Sequence, residues 1–358
     1  MRINKLDGFR GIFSIMVVLY HYGPDLIPEY LSNNFLIRES YLFVDFFFVL
    51  SGFVISLNYN LLNTKNEFFN FIKKRFIRLY PLLIYTVGVS LLFKTIVTLL
   101  LPSQVNDIKT LSENIFLTID SICFTNSTPL FGSDLGMNYP SWSISSEMIS
   151  YLLYGFILIN FRKKEMVFSL IILLSLIFLY IFKEKFNVSS DYGFIRGFYS
   201  FFIGVFVCRF YSFSKFSFSS SHEILTLLMI ICSLYIFHND VTKTLIFLGP
   251  IVFGISIFVF SKSHGFITNI LEKPLFQILG KTSYSIYLNH SLIILVIPRL
   301  IFGVLKINKT DVNMILVLLC TMLFLFVYSW FTYNFIELKG GKFLKRNITL
   351  KDNNLTLQ

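Results

Sequence analysis

The feature that most limits this chain is a series of apolar runs, each long enough to cross a bilayer, joined by mostly short polar segments. Lipid offers the backbone no hydrogen bonds, so only helices and closed barrels can span it. A spanning helix needs about 17 to 25 residues and a barrel strand about 10, and these runs fit helices. We place about ten spans, at 8–23, 41–58, 80–101, 144–161, 167–183, 194–211, 224–238, 244–260, 276–303 and 313–335. The expected fold class is all-α, a polytopic membrane protein. With 55% hydrophobic and only 14% charged residues, little sequence remains for a separate soluble domain.

With the amino terminus in the cytoplasm, the inside loops and tails hold about 21 Lys and Arg against about 7 outside, a bias that sets this orientation. An even number of spans returns the tail, with Lys339, Lys342, Lys345 and Arg346, to the same side. Both termini are therefore expected to be cytoplasmic, with residues 1–340 as the membrane domain and 341–358 as a short tail. The net charge of +11 does not imply nucleic acid, because the basic residues fall in short clusters between apolar runs. The first run ends in His21-Tyr22-Gly23-Pro24 rather than in a small-residue cleavage site, so it is expected to stay in the protein. The four cysteines stand singly and no group has metal-ligand spacing, so no metal is expected.

Against this background the charges inside the runs stand out, since an ionisable residue there costs about 2.5 to 3.5 kcal/mol on insertion scales. The first run carries Arg10 and His21. Their spacing amounts to about 1100° of helical turn, about 20° past three full turns, so both share one face about 16 Å apart. The second run carries Asp45 near its outer end, where it can reach His21 and orient the imidazole. Gly52 shares that face and permits close helix approach.

Arg75 and Arg78 are neighbours on a helical turn in the basic segment before the third span. Two guanidinium forks suit a polyphosphate, although the spacing fits positive-inside anchoring equally well. The outer segment between Pro102 and Ser141, with Asp107, Glu113, Asp120 and Asp134, is read either as a cover for an acceptor site or as a surface insert. It leads into Trp142-Ser143, with Ser143 as a helix cap and Glu147 one turn on, at the same end of the bundle as His21. In the ninth span Ser283, Tyr287 and His290 make a polar face expected to line a cavity. The spans from about 167 to 260 read mostly as scaffold, and Glu337 as a cytoplasmic interfacial residue.

Together these motifs resemble acyltransferase family 3, the bacterial multi-spanning O-acyltransferases. The resemblance rests on Leu6-Asp7-Gly8-Phe9-Arg10-Gly11, on Arg10 followed eleven residues later by His21, and on Val44-Asp45-Phe46-Phe47-Phe48-Val49-Leu50-Ser51-Gly52-Phe53. It continues through Arg75 and Arg78, Trp142-Ser143 to Glu147, and Ser283-Tyr284-Ser285-Ile286-Tyr287-Leu288 before His290. Asn289 departs from the pattern, standing where many members have Trp or another apolar residue. No soluble hydrolase-like domain of the kind that some members append is expected in these 358 residues.

The resemblance implies an acyl-CoA donor, usually acetyl-CoA, and a sugar hydroxyl of a surface glycan such as O-antigen, capsule or other polysaccharide as acceptor. It also implies residence in the bacterial inner membrane. On this reading Arg10, Arg75 and Arg78 bind the coenzyme A, while His21, Asp45 and Glu147 form the catalytic set. His21 acts either as general base or as covalent acyl carrier. The rival from another class is a transporter or flippase for a lipid-linked saccharide, in which the same charges line a path.

Overall fold

The computed structural model describes residues 3–100, 110–131 and 135–355. Its helices are α1 (Asn4–His21), α2 (Glu29–Ser32), α3 (Phe35–Arg38), α4 (Phe43–Asn58), α5 (Lys65–Leu100), α6 (Leu111–Ile122), α7 (Ser141–Asn160) and α8 (Lys164–Ile177). They continue with α9 (Gly193–Phe213), α10 (Ser220–Asn239), α11 (Gly249–Lys262), α12 (Phe266–Leu271), α13 (Pro274–Pro298), α14 (Asp311–Thr332) and α15 (Lys339–Leu355). Among the described residues there is no strand, only an isolated bridge between Phe218 and Ser263. Nine helical segments among them are long and apolar enough to cross a membrane. Helix α1, with 18 residues, has the length as well but carries Lys5, Asp7 and Arg10. The all-α, multi-pass class follows.

Two helix contacts set the architecture, and glycine makes both possible. Helix α1 lies on α13 so closely that a Cβ on Gly280 would stand 2.2 Å from the Asp7 carbonyl oxygen, and one on Gly11 2.6 Å from Leu279. Helix α4 meets α9 in the same manner. A Cβ on Gly52 would stand 1.9 Å from the Phe201 oxygen, and one on Gly204 1.9 Å from the Val49 oxygen. Small residues let backbones approach where lipid gives no hydrophobic drive for helices to associate.

The α4–α9 contact also encloses a charge pair. Arg196 Nη2 lies 2.6 Å from Asp45 Oδ2, Arg196 Nε 3.0 Å from Oδ1, and Ser200 Oγ donates to Oδ1 at 2.9 Å. The remaining guanidinium nitrogen donates to Asn187 Oδ1 at 2.8 Å. Both charged side chains are buried. Arg196 therefore does more than interrupt a scaffold helix, and the Asp45 carboxylate is fully engaged away from His21.

Three local expectations change. Helix α5 begins at Lys65 and runs straight through Pro81, so Arg75 and Arg78 ride on the spanning helix itself rather than before it. Proline leaves the Ile77 carbonyl without its usual donor, and Gly340 fits against the ring, where a Cβ would be 2.9 Å from that of Pro81. The segment leading to Ser141 contains helix α6, started by a capping box between Thr110 and Glu113. Asp120 accepts from Thr125 Oγ1 at 2.6 Å, while Pro102, Asp107 and Asp134 lie outside the described residues. Helix α7 starts at Ser141 without a side-chain cap, and Ser143 bonds instead to Tyr287.

Removing one member of a buried pair strands the other charge, at a cost of about 3 to 5 kcal/mol. Asp45→Ala should therefore lower the melting temperature of detergent-purified protein sharply. Combining it with Arg196→Leu should restore much of the loss, as followed by thermal unfolding.

Candidate active site

A cavity of about 620 Å³ opens between α1, α4, α5, α7, α13 and the stretch linking α14 to α15. The size is that of a small-molecule site. Arg10, Arg75 and Arg78 all line it, drawn together from α1 and α5. Arg10 Nη1 sits 3.3 Å from Asp7 Oδ1. The Arg75 guanidinium lies over the Tyr59 ring, 5.3 Å from its centroid, and donates weakly to Tyr59 OH at 3.4 Å. Its Nε has no hydrogen-bond partner among the described residues. Arg78 is an exposed side chain on the cavity wall, with no hydrogen bond or ion pair among the described residues. Guanidinium donors facing a protein-walled cavity unfilled by protein acceptors are a site for an anion.

Two carboxylates share the wall. Glu147 accepts from Ser51 Oγ at 2.6 Å and from the Tyr151 hydroxyl. Glu337 accepts from Ser285 Oγ at 3.0 Å. The expectation that Glu337 is merely interfacial is corrected: the wide π turn Tyr333–Leu338 that ends α14 carries it into the cavity lining. Such turns often sit at functional sites. Ser283 and Tyr287 line the cavity as expected, but His290, expected on the same face, does not.

At the other end of the cavity stands Tyr287, with its hydroxyl 2.9 Å from Ser143 Oγ and its ring 6.2 Å from that of Phe47. Beyond it lies an imidazole pair. The Tyr287 ring is 5.7 Å from His290, and His290 is 5.2 Å from His21, measured between centroids. Tyr139 and Tyr20 flank His21 at 4.8 and 4.9 Å. Thus His21 is not in the cavity lining but two aromatic rings past it.

Several expectations about the catalytic set are corrected here. Asp45 does not orient His21, because Arg196 and Ser200 saturate its carboxylate. Glu147 does not orient it either, being hydrogen-bonded inside the arginine cavity. Among the described residues His21 has ring contacts and no hydrogen bond. The ring beside it from α13, His290, was visible in the sequence as part of a polar face and of the motif that follows Ser283, with no sign that it meets His21. Tyr59 and Tyr139 gave no signal at all. Asn289 is fixed by a 2.8 Å bond to Thr332 Oγ1 and is buried.

Comparison with known proteins bears on this arrangement. The family model described as an acyltransferase domain matches residues 3–339. A curated relative, protein 2 in the picA locus of Rhizobium radiobacter, is 31% identical over 168 residues, covering 43% of this chain and 81% of that protein. No solved structure matches.

If the arginines form an anion site, pyrophosphate should raise the melting temperature of the purified protein. Arg78→Gln should weaken that apparent affinity about tenfold or more, the scale of about 1.5 kcal/mol for one charge-assisted bond. Sulfate as a control for ionic strength completes the measurement.

Proposed function

Since this chain belongs to the acyltransferase domain family, we propose that it transfers an acyl group, acetyl in the simplest form, from cytoplasmic acyl-CoA to a sugar hydroxyl of a surface glycan. On this reading the protein lies in a bacterial inner membrane with both termini inside, residues 1–340 form the transferase and 341–358 its tail. The observation that carries the reading is the convergence of Arg10, Arg75 and Arg78 on one cavity, where Arg78 shares the wall with Glu147 and Glu337 but makes no hydrogen bond among the described residues. A polyphosphate donor needs such a cluster. A translocation path for a saccharide does not.

In the proposed reaction the three arginines hold the phosphates of the donor, and its thioester arm follows α13 past Ser283 toward Tyr287. Arg10 and His21 lie on one face of α1 about 16 Å apart along its axis, and the arm spans that rise. His21 removes the proton of the acceptor hydroxyl as its oxygen bonds to the thioester carbonyl carbon. The C–S bond then breaks, and the thiolate recovers the proton from the imidazole. A positioned base contributes about 10² to 10⁴ in rate. The cavity hydrogen bonds of Glu147 and Glu337 suit roles in shaping the donor site and balancing its positive charge. The acceptor comes to the Tyr20–His21–Tyr139 end, where aromatic rings offer stacking faces.

His21→Ala should abolish acceptor-dependent release of coenzyme A by about 10² or more while leaving acetyl-CoA stabilisation of the purified protein intact. In cells the same variant should strip base-labile acyl groups from surface glycan with glycan export unchanged. Retained ester with lost export would instead indicate a transporter.

A further inference from the structure

Among the described residues no carboxylate is bonded to His21, and a second imidazole, that of His290, stands beside it. His290 is completely buried. Its Nδ1 lies 2.5 Å from the Tyr287 carbonyl oxygen, and a carbonyl only accepts, so Nδ1 carries the hydrogen. The tautomer leaves a lone pair on Nε2. That nitrogen is buried and has no hydrogen-bond partner among the described residues. An orphaned acceptor of this kind lowers stability and calls for an explanation.

The ring is also held firmly. Asn289 is tied to Thr332 at 2.8 Å on one side. On the other, Asn138 accepts from Ser291 Oγ at 2.5 Å and donates to the Leu288 oxygen at 3.0 Å. His21 has the opposite character, because no hydrogen bond among the described residues fixes its ring, which lies 5.2 Å from that of His290 at an interplanar angle of 26°. The two rings lie nearly face to face, so a hydrogen bond to the in-plane Nε2 lone pair requires His21 to turn about its Cβ–Cγ bond.

We infer that His290 is the positioning residue of the transfer, accepting a hydrogen bond at Nε2 from a ring N–H of His21 so that the other His21 nitrogen faces the acceptor hydroxyl. This rests on the proposed acyl transfer. His290 does for His21 what a carboxylate does for the histidine of a catalytic triad, namely fix its tautomer and hold the imidazolium that forms. The proton travels from hydroxyl to His21 and on to the departing thiolate. His290 keeps its own proton on Nδ1 throughout and ends unchanged.

Two substitutions separate this role from packing. His290→Asn keeps a donor near the Nδ1 position for the Tyr287 oxygen but has nothing at Nε2. His290→Gln places an amide oxygen near Nε2 but abandons the Nδ1 bond. Full-length protein in native membranes, with acetyl-CoA as probe donor, is assayed for acceptor-dependent release of coenzyme A, with melting temperatures measured after purification. His290→Asn should lower kcat by about 100-fold or more with KM for acetyl-CoA within about twofold, the scale seen when a catalytic histidine loses its orienting partner. His290→Gln should regain at least about tenfold over it. Combined with His21→Ala, His290→Asn should add less than about a further twofold.

Wild-type kcat in His290→Asn overturns the inference while leaving the acyl transfer standing. Should His290→Asn fail to fold, His290→Gln decides alone: activity within about tenfold of the parent supports the role, and a loss beyond about 100-fold overturns it. A parent protein that releases no coenzyme A sinks the proposed function itself.

Discussion

Inside a bilayer no water is at hand to satisfy a polar group, so each one must find its partner within the protein or face a cavity. This constraint sorts the charges of the chain. Asp45 and Arg196 neutralise each other and are closed off by Ser200 and Asn187. Glu223 is buried against the backbone amides of Gly265 and Ile267 at 2.8 Å, with the Thr268 hydroxyl beside it. Lys5 donates to the Ser263 carbonyl. These charges are settled by the fold. Arg78 and the Nε of Arg75 are not, and both belong to the cavity.

The helix contacts explain why unsettled donors and unsettled imidazoles end up in one line. Helix α1 carries Arg10 and His21 on one face, and α13 carries Tyr287 and His290 one turn apart. Glycines at 11 and 280 press the two helices together. The result is a track with guanidinium groups at one end and paired imidazoles at the other, interrupted by Tyr287 and Phe47. A larger residue at 280 would meet the α1 backbone and displace this register.

Substantial parts of the site are legible before any coordinates. Arg10, Arg75 and Arg78, grouped by the motif reading, line one cavity, and Ser283 and Tyr287 line it as their spacing suggests, whereas Glu147 sits with the arginines rather than with His21 and His290 lies outside the lining. The failures share a cause. Asp45 was matched to the nearest suitable group in the next span, yet its partner is 151 positions away on α9. Glu337 looked interfacial because it lies just past the end of the last span, yet it sits in the π turn Tyr333–Leu338 and lines the cavity. Arg75 and Arg78 were read as preceding the third span, but α5 begins at Lys65 and continues past Pro81, so both lie on it.

What the sequence settled by itself is therefore whatever a single helix dictates: which runs can lie in lipid, which residues share a face, and that Arg10 and His21 lie on the same one. Helical periodicity is local, so it can be read from a string. Which carboxylate meets which cation, and which ring meets His21, was decided only when helices far apart in the chain packed together. Hydrogen-bond partners across such contacts depend on where glycines let backbones touch, and that relation between helices has no trace in the spacing along any one of them.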